Sequence, residues 1–145
     1  MKGSPPACGA WDLLIQLLLS QRGQLPVLAA ALELSPAQCH VLYIIEPGRP
    51  VPMKQLAASL SCDASNVTGL VDRLESRGLI RRQPGAADRR VKELELTPTG
   101  ARLRAELIAR MSTPPPAVGR LSARDQRELE RILSLLLRTL SLKPA

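Results

Sequence analysis

Residues 61–97, SCDASNVTGLVDRLESRGLIRRQPGAADRRVKELELT, leave little freedom in what this chain can become. Ala64, Val67, Leu70, Val71 and Leu74 recur at helical spacing and define one apolar face. Ser65, Asn66, Thr68, Gly69, Asp72 and Arg73 fall on the other. Asp63 is placed to accept from the free N–H groups of the first turn. Gly78, just after Arg77, is placed to end the helix in the left-handed conformation. Segments 79–83 and 91–97 read as strands, Leu94 and Leu96 alternating with Glu93 and Glu95. Between them Pro84, Gly85, Ala86 and Ala87 form a turn, with Asp88, Arg89 and Arg90 at its far end.

A helix with small polar residues on its outer face suits a DNA major groove, because such side chains meet base edges without blocking close approach. A hairpin with arginines near its tip suits phosphates or an adjacent minor groove, where guanidinium follows the negative potential. Either element alone is compatible with a solvated helix or an ordinary charged hairpin. Both in this order, after another short helix, favour DNA.

The stretches VTGLVDRLESRGLIRR and DRRVKELELTPTG resemble the MarR family of dimeric winged helix-turn-helix regulators. In that family the first is the end of the recognition helix leading into the wing, and the second is the wing return and the start of the next helix. The resemblance implies a mainly α fold: a winged helix-turn-helix with a small antiparallel β-wing, plus N- and C-terminal dimerisation helices. Residues 1–145 are then a single domain, with 36–97 as the DNA-binding lobe and 10–34 and 98–142 as the dimerisation helices.

The rest of the chain fits that outline. Its 145 residues suffice for one modest core. With no Phe, one Trp and one Tyr, that core is aliphatic, and stacking platforms for single-stranded nucleic acid are missing. The net charge of +7 favours a polyanionic partner. Residues 53–92 carry eight basic side chains against four acidic ones, a balance of +4, whereas 1–47 stand at −1. The stretch after Thr97 reaches +5, which a solvated helix face also explains.

Along the chain, 1–9 are rich in Pro and Gly and expected to fray. A helical pattern over 10–32 places Trp11, Leu14, Ile15, Leu18, Leu25, Leu28, Ala29 and Leu32 on one stripe, with Leu13, Leu17 and Leu19 beside it. Pro26, with Gly23 just ahead, is expected to kink or interrupt it. Ser35 and Pro36 read as cap and first residue of a helix to about 45, carrying Cys39, Val41, Leu42, Ile44 and Ile45. Prolines 47, 50 and 52, with Gly48, make a loop or short edge strand. Residues 53–60 form the first helix of the helix-turn-helix, with Met53, Leu56, Ala57 and Leu60 inward. The turn is 61–63, with Cys62 as a small buried filler. Thr97 and Pro98 restart a helix to about 112, and 114–116 end it. Ser122 and Asp125 resemble a capping box for a last helix with Leu129, Ile132, Leu133, Leu136 and Leu140, and further leucines at 135, 137 and 142. Both terminal helices hold more leucine than a monomer of this size can cover, so a homodimer is expected.

A two-fold dimer would set its recognition helices in successive major grooves about 34 Å apart, on a pseudo-palindromic site. The candidate DNA contacts are Lys54 and Gln55 on the first helix, Ser65, Asn66, Thr68 and Arg73 on the second, and Arg89 and Arg90 on the wing. Arg81 and Arg82 at the wing base are expected on phosphates. Family members often carry a basic residue where this chain has Gly69, so base preference does not transfer. By resemblance Asp88 pairs with an arginine and stiffens the wing, though capping the turn is equally open to it. The family's small-molecule crevice would place Arg22, His40 and Tyr43 near an effector, and a lone His on an apolar helix is also an ordinary surface residue. Some relatives sense oxidants through a cysteine near the first helix, where Cys8 lies, although PPACGAWD lacks the basic neighbours that lower a thiol pKa.

Three cysteines without paired or metal-ligand spacing imply reduced thiols and no metal. No signal peptide or spanning segment is evident, so the expected location is cytoplasmic, with no membrane partner. With one His, no phosphate-binding Gly-rich loop and no clustered carboxylates, neither an enzyme nor a cofactor is expected. The expected function is a double-stranded DNA-binding transcriptional regulator, a repressor relieved by a small ligand or oxidant. The alternative is a winged-helix module that binds protein without DNA, against which the arginine-tipped wing and the positive 53–92 block argue.

Overall fold

A computed structural model describes residues 6–60 and 64–141, with side chains for 8–60 and 66–140. The turn at 61–63, the Asp63 cap, the Cys62 filler, the side chains of Ala64 and Ser65, and Leu142 therefore lie outside the described residues. The chain divides into two units, 1–111 and 112–145.

The first unit contains α1 (Pro6–Ser20), α2 (Gln24–Ala31), α3 (Pro36–Ile44), β1 (Val51–Pro52), α4 (Met53–Leu60), α5 (Ala64–Ser76), β2 (Ile80–Pro84), β3 (Lys92–Leu96) and α6 (Pro98–Met111). The single helix expected over 10–32 is two. The chain turns tightly at 21–23, where Gln21 and Arg22 donate to the carbonyls of Leu18 and Leu19. Pro26 then falls in the first turn of α2, where its missing N–H removes no helical hydrogen bond. At the other end α1 begins at Pro6, inside the segment expected to fray. The stripe splits accordingly. Ala29 and Leu32 are buried, whereas Trp11, Leu13, Leu17, Leu18 and Leu19 stay exposed, Trp11 at 58%.

The α2–α3 corner is locally determined. Glu33 takes a left-handed conformation (φ 54°), so that Leu34 N–H reaches the Ala29 carbonyl at 2.8 Å and Glu33 N–H reaches that of Ala30 at 3.0 Å. This is the helix-ending arrangement usually given to glycine. Ser35 then caps α3, accepting from Gln38 N–H at 3.2 Å, while the Gln38 carboxamide accepts from Ser35 N–H at 2.8 Å. The Ser–Gln reciprocity is a full capping box.

The core is aliphatic. Val41, Leu42 and Ile45 from the α3 region, Leu56 from α4, and Val67, Val71 and Leu74 from α5 meet Ile80, Leu94 and Leu107 at full burial. Gly78 (φ 67°) ends α5: its N–H bonds the Glu75 carbonyl at 2.8 Å, and that of Leu79 bonds Leu74 at 3.0 Å. The reversal sends the chain into the wing. The three strands are antiparallel in the order β1-β3-β2. Ile80 faces Leu96 and Arg81 faces Glu95 across β2–β3, while Val51 faces Leu94 across β1–β3. Pro52 is tolerated because β1 is an edge strand.

One joint ties the wing to α6. Thr97 N–H donates to the Leu79 carbonyl at 3.1 Å, its hydroxyl donates to the Gly78 carbonyl at 2.6 Å, and the same oxygen caps Gly100 N–H at 3.0 Å. The backbone approaches so closely that a Cβ on Gly100 would lie 1.8 Å from the Leu79 carbonyl oxygen.

The second unit holds α7 (Pro116–Gly119), a short helix inside the proline-rich break, and α8 (Ala123–Ser141). Ser122 caps Asp125 N–H at 3.2 Å. The return contact differs from the expected box: the Asp125 carboxylate accepts the Ser122 hydroxyl at 2.6 Å in place of a backbone N–H. Ile132, Leu133, Leu135, Leu136, Leu137 and Leu140 are exposed along α8. Among the described residues no single helix is long and apolar enough to cross a membrane.

Candidate nucleic-acid interface

The amphipathic split of α5 sets the site. Its apolar side is consumed by the core, which turns Asn66, Thr68, Gly69, Asp72 and Arg73 to solvent. Lys54 and Gln55 are exposed on α4. At the far end of the hairpin, 86–91 are exposed around a closed turn. Gly85 N–H bonds the Val91 carbonyl at 2.8 Å, and Val91 N–H bonds that of Asp88 at 3.0 Å. Gly85 has no room for a side chain there, since a Cβ would sit 2.9 Å from the Asp88 carbonyl. The Asp88 carboxylate accepts from Arg90 N–H at 2.9 Å. It makes no ion pair among the described residues, so the arginine pairing expected by resemblance is replaced by turn capping. That bond leaves the Arg89 and Arg90 side chains projecting from a fixed backbone.

Arg81 and Arg82, expected on phosphates, both hold carboxylates within the protomer. Arg81 lies opposite Glu95 in the strand register and gives one of its oxygens two hydrogen bonds, at 2.9 and 2.6 Å. Arg82 reaches back to α5 and pairs with both Asp72 and Glu75, while its backbone N–H donates to Glu75 at 3.1 Å. The Asp72 hydrogen bond first, and the Glu75 charge after desolvation, hold the Arg82 guanidinium above its ordinary pKa. Sequence reading missed this brace. The available signal was two carboxylates at i and i+3 on α5, close to an arginine beyond a reversal.

The brace also sorts the charges. It occupies Asp72 and Glu75, the acidic residues that flank Arg73 in sequence, and among the described residues Lys54, Arg73, Arg89 and Arg90 make no ion pair. Among the described residues the uncommitted positive charge of the lobe is thus on α4, the outer face of α5 and the wing, where Lys92 at the start of β3 is also without an ion pair. Such groups can meet phosphates, and the Asn66 carboxamide can donate and accept at a base edge.

Of the effector candidates, the structure brings His40 and Tyr43 together but leaves Arg22 apart. The two line an open cleft of about 590 Å³ with Leu25, Cys39 and Met111. Arg22 is exposed in the α1–α2 turn and outside that lining. A residue missed by sequence, Arg104 of α6, donates to the Tyr43 carbonyl at 3.1 Å and ties α6 to the end of α3. Cys39 is 1% exposed, and burial pushes its thiol pKa up. Cys8 is free and exposed on α1.

Residues 34–92 match the sequence profile of the MarR family. Over 66 residues the chain is 33% identical to the uncharacterized HTH-type transcriptional regulator YfiV of Bacillus subtilis, covering 46% of this chain and 41% of that one. Over 93 residues it is 31% identical to the HTH-type transcriptional regulator MgrA of Staphylococcus aureus, covering 64% of this chain and 63% of that one. The matches thus span less than two thirds of these relatives. The fold is that of a mutant MarR from E. coli, with TM-score 0.76 at 24% identity over 94% of this chain and 99% of that one. It is also that of a mutant S. aureus MepR bound to an oligodeoxyribonucleotide, with TM-score 0.62 at 21% identity over 90% and 97%.

Proposed function

We infer that the chain, a member of the MarR family, is a sequence-specific double-stranded DNA-binding transcriptional regulator acting as a homodimeric repressor. One observation carries this reading. Among the described residues of 36–97, the basic groups without an ion pair are Lys54 on α4, Arg73 on the outer face of α5, and Arg89, Arg90 and Lys92 on the wing, while Arg81 and Arg82 at the wing base are paired with carboxylates. A lobe evolved only for solubility has no reason to divide its charges in that way. The mutant MepR bound to an oligodeoxyribonucleotide supports the same partner.

The exposed leucines of α1 and α8 support a symmetric dimer, whose two-fold axis repeats the reading helix about every 34 Å along a pseudo-palindrome. In that assembly Lys54, Arg73, Arg89 and Arg90 serve phosphates or the minor groove. Gln55, Ser65, Asn66 and Thr68 face bases, and Arg82 supports them from behind. The apolar cleft at His40 and Tyr43 suits a small lipophilic effector that relieves repression. The working compartment is the cytoplasm, where Cys8 stays a reduced thiol unless oxidant reaches it.

The test is duplex binding across a salt series. If Lys54, Arg73, Arg89 and Arg90 each neutralise one phosphate in both protomers, log K falls against log salt with a slope of about −7. Affinity independent of salt would favour a protein-binding module. Light scattering checks the dimer, and a monomer at micromolar concentration would refute the role given to α1 and α8.

A further inference from the structure

Gly69 lies in the middle of α5, where glycine is a poor choice because its backbone loses more freedom than any other on entering a helix. Among the described glycines, Gly48 and Gly78 are left-handed, Gly85 and Gly100 leave no room for a Cβ, and Gly9, Gly23 and Gly119 have open space but lie within a turn of a helix end. Gly69 fits none of these. Its φ is not positive, and a Cβ built on it would meet nothing within 4 Å. Neither handedness nor crowding within the described protomer calls for glycine here, so what the residue alters is the exposed outer surface of the helix, which it leaves bare.

What surrounds Gly69 says what such a surface suits. The opposite side of α5 is occupied by Val67, Val71 and Leu74, all fully buried. On the exposed side Asn66 stands one turn before and Arg73 one turn after. Gly69 is thus the low point between a carboxamide and a guanidinium, neither of which has a side-chain partner among the described residues. Asparagine is short, and its two-pronged contact with a base edge requires the helix backbone to come close. A methyl carbon at position 69 would need about 3.5–4 Å to the nearest carbon of the groove floor.

We propose that Gly69 is the point of closest approach between the reading helix and the base-pair edges, and so a determinant of which sequence this chain selects. The inference rests on the DNA-binding reading above. It replaces the view that the residue is merely a missing basic contact.

The experiment compares wild type with Gly69→Ala on two probes: a duplex enriched by the wild-type protein from a random-sequence pool, and a shuffled duplex of the same composition. Alanine is the better helix former, so the urea midpoint is expected to rise by roughly a few tenths of a molar. Affinity for the enriched duplex is expected to fall about tenfold or more, as for a lost base contact, with the shuffled duplex unchanged. Equal or tighter binding of the enriched duplex by Gly69→Ala would overturn the inference alone. So would an equal loss on both probes, which would mean phosphate register and not base approach. Failure of the wild type to enrich any duplex would sink the DNA-binding reading, and this inference with it.

Discussion

Replacing Gly100 with alanine drives a methyl group into the carbonyl of Leu79. The ideal Cβ lies 1.8 Å from that oxygen, and separations under 3.0 Å are essentially never seen, so α6 and the β2 entry have to part by at least 1.2 Å. The Thr97 N–H to Leu79 bond is already 3.1 Å long and the hydroxyl bond to Gly78 is 2.6 Å. A displacement of that size disrupts both. Overpacking of this kind costs about 1–3 kcal/mol, and each hydrogen bond lost adds about 0.5–1.5 kcal/mol. The net penalty is about 3 kcal/mol, a large part of the roughly 5–15 kcal/mol that holds such a domain together. With a urea m-value of about 2 kcal/mol/M, the midpoint falls by about 1.5 M. Urea titration followed by helical circular dichroism, at one fixed protomer concentration, measures it. The same substitution at Gly69 moves the midpoint the other way, so a general effect of alanine is separable. A Gly100→Ala midpoint equal to wild type would refute the account of the Thr97–Gly100 joint.

Arg82→Ala is expected to weaken DNA binding with the salt slope unchanged, because the side chain braces α5 and touches no phosphate. Arg89→Ala is expected to flatten the slope of the dimer by about 1.8, because one phosphate per protomer is no longer neutralised, and the reverse assignment of slopes would refute both roles. Glu33→Gly relieves a left-handed non-glycine residue and is expected to add roughly 0.5–1 kcal/mol, read as a higher urea midpoint. A lower midpoint would mean that the 3.9 Å contact between Arg77 and the Glu33 carboxylate matters more than the backbone. Raised pKa means less thiolate at any given pH, so iodoacetamide at pH 8 is expected to label Cys8 well before Cys39 in the folded protein, as peptide mass spectrometry resolves. Equal rates would contradict the burial of Cys39.

Elements whose cause is local were legible from the chain alone. Ser35 and Thr97 announce helix starts through their own hydroxyls, and Gly78 announces an end through its own φ. Val67, Val71 and Leu74 declare a buried face by spacing. What was not legible depends on where two distant segments meet. The need for glycine at position 100 comes from a carbonyl 21 residues away, and nothing in the surrounding TPTG signals it. The engagement of Arg82 depends on the reversal at Gly78 aiming β2 back along α5. Asp88 offered two roles from one pattern, and only the turn geometry separates them. Glu33 carries no glycine signal at all, so the end of α2 showed only in its hydrogen bonds.

The division of labour around Arg82 bears on how such a protein can be retargeted. The charges that keep helix and hairpin in register satisfy one another, while positions 66, 69 and 73 make no ion pair with them among the described residues. On the DNA-binding reading, changes of sequence preference are expected to be made at those three places without rebuilding the frame that presents them. The frame itself tolerates far less: reversing the sign of any member of the Asp72–Arg82–Glu75 trio leaves a repulsive pair where the hairpin is anchored.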